Sequence, residues 1–95
     1  MIINHLLLKL NDSDATKIKE TKDVLLGMKG NIPALLDIQV EVDIRHDASS
    51  YDLILITKFA SMRDMETYLA DPLHLQVAKF IGSVLDTQAS VCCEI

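Results

Sequence analysis

Two kinds of hydrophobic periodicity alternate along this chain, and the order in which they do so constrains the fold more than any single segment. The order is strand, helix, strand, strand, helix, strand. Ile2 to Leu10 carries apolar residues on both parities, with Ile2, Leu6, Leu8 and Leu10 on one side and Ile3, His5 and Leu7 on the other. That is the pattern of a strand buried on two faces. Asn11-Asp12-Ser13-Asp14 then supplies helix-capping side chains, and Ala15, Ile18, Leu25 and Met28 fall on one helical face, predicting a helix that runs to about Met28 before Gly27, Gly30 and Pro33 stop it.

Leu36, Ile38, Val40, Val42 and Ile44 alternate with Asp37, Gln39, Glu41, Asp43 and Arg45, which predicts a strand with one dry and one wet face. Arg45 to Ser50 is polar and reads as a turn, and Asp52 to Ala60 resumes as the second arm of a hairpin. Ser61-Met62-Arg63-Asp64 has the form of a capping box, so a helix opens there. It cannot continue through Pro72, which lacks an amide proton and restricts the residue before it. Behind an Asp, however, proline suits the first turn of a new helix, so Asp71-Pro72 is read as a break and restart. Val77, Phe80 and Val84 continue the apolar stripe, and Ala89, Val91, Cys93 and Ile95 alternate as a fourth strand.

The fold class this order predicts is α+β: a ferredoxin-like β-α-β-β-α-β domain over residues 1–95 with a four-stranded antiparallel sheet. At 95 residues there is room for one domain, and 49% apolar residues with a net charge of -5 exclude a disordered chain. Two helices cover one face of such a sheet, yet the first and third strands are apolar on both. The surplus, assigned to Ile2, Leu6, Leu8 and one parity of the third strand, predicts a homodimer in which two sheets face each other.

Other partners find little support. Nine Lys and Arg against fourteen Asp and Glu, with no basic cluster, argue against nucleic acid. The longest apolar run, Leu53 to Ile56, is four residues, so no membrane span is expected. Met1 to His5 lacks the basic start of a secretory signal, and adjacent Cys92 and Cys93 would point to opposite faces of a strand, which together predict a cytoplasmic protein with free thiols. No metal-ligand spacing, phosphate-binding glycine loop or nucleophile elbow is present, so no metal and no cofactor are expected.

The residues with chemistry beyond charge and packing are three histidines and two tyrosines. His46 sits in a polar turn beside Asp47 and reads as solvated. His5 lies among aliphatics on the face of Ile3 and Leu7, where a hydrogen-bonded core role is the plainer reading. Tyr68 precedes His74 by six residues across the Pro72 break, and a kink there turns both rings toward one cavity, as an acid/base pair would need.

Asn4-His5-Leu6-Leu7-Leu8-Lys9, Ser50-Tyr51-Asp52-Leu53 and above all Tyr68-Leu69-Ala70-Asp71-Pro72-Leu73-His74 resemble the stress-responsive A/B barrel domain, a family of dimeric α+β barrels. The resemblance covers nearly the whole chain, and its most specific part is the Tyr-x-x-x-Pro-x-His string. It implies paired sheets forming a barrel and a small-molecule pocket between sheet and helices lined by His5, Tyr68 and His74. The family also includes cofactor-independent polyketide cyclases, and that comparison implies His74 as base and Tyr68 as donor to a substrate carbonyl. Two departures stand out: the glycine frequent after the second strand is absent around Asp43-Ile44, and the chain has only two Phe and two Tyr with no Trp.

Overall fold

The computed structural model describes residues 1–95. Its elements are β1 (Ile2–Leu10), α1 (Ala15–Leu26), β2 (Asp37–Val42), β3 (Leu53–Phe59), α2 (Met62–Ala70), α3 (Pro72–Val84) and β4 (Leu85–Glu94). The strands form one antiparallel sheet in the order β2-β3-β1-β4, the ferredoxin-like topology expected from the alternation of periods.

Each helix begins where the sequence offers a capping oxygen. The Asp14 carboxylate accepts from the Lys17 amide at 2.9 Å, and the Ser61 hydroxyl accepts from the Asp64 amide at 3.2 Å. At Asp71 the backbone turns extended, with ψ 135°, which separates α2 from α3 as proline requires. Other ends differ from expectation. α1 stops at Leu26, and Met28 is buried in the turn that follows, so its apolar character served the core without continuing the helix. β2 is shorter than its alternation: the Asp43 amide donates to the Asp52 carbonyl at 2.9 Å and closes the hairpin, leaving Ile44 in the loop and 90% exposed. β4 is longer, because α3 passes into it at Leu85 with no intervening loop.

Strand register fixes the two faces. β1 pairs with β3 through Leu6 and Leu55, and with β4 through Leu6 and Ser90. Ile2, Leu6 and Leu8 therefore point toward the helices and pack with Leu25, Met28, Ile38, Val40, Leu53, Leu55 and Phe59. This corrects the sequence reading, which put Ile2, Leu6 and Leu8 on the uncovered face. The open face instead carries Ile3, His5 and Leu7 of β1, Ile54 and Ile56 of β3, and Ala89, Val91 and Cys93 of β4. The reason lies in the charged residues. Lys9 shares the parity of Ile3, and Lys58 and Asp37 pair on that same side; none of these could be placed beneath a helix without a large desolvation cost.

One buried carboxylate ties the sheet to α1. Asp52, 3% exposed, accepts from the Leu10 amide and from the Ser13 hydroxyl, both at 2.8 Å, while its own amide donates to the Leu8 carbonyl. Lys9 Nζ lies 3.8 Å from the other carboxylate oxygen. Removing the carboxylate strands the Leu10 amide, and a buried donor without a partner costs roughly 1–3 kcal/mol. Asp52→Ala is therefore expected to lower unfolding free energy by about 2 kcal/mol in urea titrations; a loss below about 0.5 kcal/mol would show that this junction is not structurally important.

Candidate functional site

The break at Asp71-Pro72 does more than change the direction of the helix. In a continuous helix the Leu73 amide would donate to the Leu69 carbonyl. Here it donates to the Asp71 carboxylate at 2.8 Å. The Leu69 carbonyl is thereby released, and the His74 ring takes it, with Nδ1 at 3.0 Å. A carbonyl only accepts, so Nδ1 carries the proton and the lone pair of the neutral ring is on Nε2.

Tyr68 closes the last turn of α2 and is 4% exposed. Its ring lies 4.5 Å from that of His74 and 5.0 Å from that of Phe59, both tilted contacts. Its hydroxyl finds no partner within the chain, yet no fully buried side-chain polar atom is unsatisfied. The hydroxyl therefore keeps some accessible surface, and Tyr68 and His74 both line the adjoining cavity. Burial pushes the Tyr68 phenol up to about 12, so at neutral pH it is an un-ionised donor.

The cavity measures about 410 Å³ and lies between the sheet and α3. Leu25, Met28, Val77 and Ile81 make it largely apolar, and Asn4, Gln88 and Ser90 set a polar strip along its sheet side. The size is that of small-molecule sites in general. Sequence reasoning found Tyr68 and His74 but missed the strip and the Leu69 carbonyl. The strip has a legible signal, since Asn4 shares its parity with Leu6 and Leu8, but β1 had been assigned to the wrong side.

The sequence-predicted set is only partly brought together. His5 has the opposite parity to Asn4 and lies on the open face, beside Leu7, Ile54 and Val91, with the sheet between it and the Tyr68–His74 pair. Nor does any group of three or more His, Cys, Asp or Glu converge as a metal site would need. His46 is in the hairpin loop with φ 55°, its amide donating to the Asp43 carboxylate at 2.7 Å.

The family model described as the stress responsive A/B barrel domain matches residues 3–94. The chain belongs to that family. No curated protein matches it. Among solved structures, this A/B barrel domain is similar to a dimeric protein of unknown function with a ferredoxin-like fold from Bacteroides fragilis, at 19% identity and TM-score 0.82, covering 99% of this chain and 96% of that one. It is similar to a dimeric ferredoxin-like protein of unknown function from Thermobifida fusca, at 19% identity and TM-score 0.86, covering 99% and 90%. A hydroxynitrile lyase from Passiflora edulis matches at 17% identity and TM-score 0.79, covering 99% and 93%. Likeness at these identities establishes the fold of the A/B barrel domain and assigns it no specific role.

The Tyr68 environment predicts a pH dependence with a definite sign. The folded phenol holds its proton up to about pH 12, whereas an unfolded tyrosine releases it near pH 10. Between those values the native state binds more protons, so this contribution is present below pH 10 and is lost as pH rises toward 12. The urea midpoint of the wild type should fall more steeply over that interval than that of Tyr68→Phe; parallel curves would contradict the buried phenol.

Proposed function

We propose that this domain binds a small, mainly apolar molecule bearing an oxygen acceptor in the cavity between its sheet and helices. The observation that carries the reading is the Tyr68 hydroxyl, a donor on a buried residue with no protein partner of its own, next to a histidine whose Nδ1 is already committed to Leu69. A ligand oxygen would accept from Tyr68, and a ligand hydroxyl or acidic C–H would meet Nε2 of His74. His5, on the other side of the sheet, is not part of this pocket.

The same observation favours a second reading, cofactor-independent acid/base catalysis of the cyclase or lyase type. In a cyclase-type step His74 Nε2 would take a proton from a carbon next to a carbonyl, and Tyr68 would hydrogen-bond that carbonyl oxygen as it becomes an enolate; in a lyase-type step His74 would take the hydroxyl proton of a cyanohydrin as its carbon–cyanide bond breaks, releasing a carbonyl compound and cyanide. The similar Passiflora edulis structure is named a hydroxynitrile lyase, an activity in which such a pair has an evident use.

We further propose that the domain is a cytoplasmic homodimer joined through the open sheet face. For the dimer, a nine-residue central strand in a four-stranded sheet gives a footprint of about 30 by 19 Å, or roughly 570 Å² before side-chain relief, approaching the ~800 Å² per partner of a stable interface. The two ferredoxin-like neighbours are themselves described as dimeric.

Acetophenone, a small aromatic ketone, is a suitable probe. Its perturbation of amide shifts around Tyr68 and His74 should saturate in the wild type and weaken about tenfold in Tyr68→Phe, the loss of one hydrogen bond. Gly82 provides the control for shape. It lines the cavity, and a Cβ built there meets nothing within 4 Å, so Gly82→Leu should fold normally, fill the space and abolish binding. Retained binding in Gly82→Leu would remove the cavity from the proposal. For the catalytic reading, mandelonitrile cleavage that is equal in wild type and His74→Ala would exclude the histidine.

A further inference from the structure

The open face has one polar group at its centre. His5 is mid-way along β1 and is directly paired with Ile56 on one side and Val91 on the other. Along its own strand the same-face neighbours are Ile3 and Leu7, so four apolar side chains enclose the imidazole, and Ile54, Ala89 and Cys93 extend the ring. Charged groups reach it from few directions. On β1 it is Lys9, the next same-face position beyond Leu7. On β3 it is Lys58, beside Ile56 and paired with Ile3. β2 contributes Asp37, opposite Lys58, and Glu41, opposite Ile54, with Gln39 between them. β4 contributes Cys93 and, at the bulge beside Lys9 at the far end of the strand, Asp86, which shares a pocket with Lys9 and Thr87; Glu94 has the other parity. The nearest charge to His5 on this face is thus a lysine, and that lysine has Asp37 as its own cross-strand partner.

We propose that His5 makes self-association of this domain pH-dependent, with acid dissociating the dimer. The inference rests on the homodimer reading above and adds a titrating group to it. In a free protomer the open face meets water. Beneath a second copy of the same face the imidazole would lose water while its own sheet surrounds it with aliphatic side chains, offers Lys58 as the closest charged neighbour and places no carboxylate next to it. An imidazolium in such a place is penalised twice, by lost hydration and by like charge.

The sign follows by linkage. If the dimer holds neutral imidazole while the free protomer can bind a proton on each, the dimer is favoured above the ordinary histidine range and weakened below it. Two-fold symmetry puts one His5 in each protomer, so two protons oppose each dimer. Taking about 6.5 as the ordinary histidine value, the dissociation constant should rise by roughly 10- to 100-fold between pH 7.5 and pH 5.5. The direction is diagnostic, because the chain approaches its isoelectric point of about 4.9 over that interval. Falling net charge alone would strengthen association.

Sedimentation equilibrium of the full chain at pH 7.5 and 5.5, with circular dichroism to verify folding, tests this. Wild type should weaken by the stated factor. His5→Gln, with a neutral polar side chain, should dimerise at both pH values with less than about threefold change. His5→Leu should bind more tightly and also be flat, which guards against a specific failure of the glutamine. His46→Gln, in the exposed loop, should keep the wild-type response. A wild-type dimer equally tight at both pH values, or a His5→Gln dimer that still weakens in acid, overturns the proposal and leaves the homodimer standing. A folded monomer at pH 7.5 and high micromolar concentration overturns the homodimer reading itself.

Discussion

The position of β1 governs this structure. It is flanked by β3 and β4, so it pairs in antiparallel ladders on both edges and both of its side-chain faces must be accommodated. The helices can satisfy only one of them. Everything with a possible function follows from how the two faces are used. The even parity of β1 contributes Leu6 and Leu8 to the core and Asn4 to the cavity, and the odd parity presents Ile3, His5 and Leu7 on the outside of the fold.

This division also explains what could be read in the amino-acid sequence. β2 alternates strictly, so its dry side, Ile38 and Val40, could face only the helices, and both are buried. β1 and β3 have large aliphatics on both parities, and hydrophobicity alone cannot choose between them. The choice is made by residues of lesser bulk: Lys9, Lys58 and Asp37 cannot lie under a helix, and through the register they carry Ile3, His5 and Leu7 with them. A register is a long-range property, and each strand read by itself does not contain it. His5 entered the expected pocket through the family resemblance, and the register places it on the open face instead.

The Tyr68–His74 pair was legible for a local reason. Proline imposes its break wherever it stands in a helix, so the approach of two rings across Asp71-Pro72 needed no tertiary information. The sequence did not reveal the exchange of partners inside that break, in which Asp71 takes the Leu73 amide and the imidazole takes the Leu69 carbonyl. The arrangement fixes the orientation of the imidazole with main-chain atoms of its own segment. Replacement of distant core residues should therefore leave it undisturbed so long as α2 and α3 form.

Leu85 is at once the cap of α3 and the first residue of β4, and the Asn11 amide fastens the preceding Val84 carbonyl at 2.8 Å. Helix and edge strand thus behave as one stiff lever without slack at its elbow. Any swing of α3 to enlarge the chamber would have to drag the β4 ladder along β1, where the one irregularity in pairing, between Lys9 and Leu10, adjoins that elbow. Under the proposed binding role, guests would be sorted by the dimensions of this space, and a bulky one would be admitted only at the expense of sheet pairing.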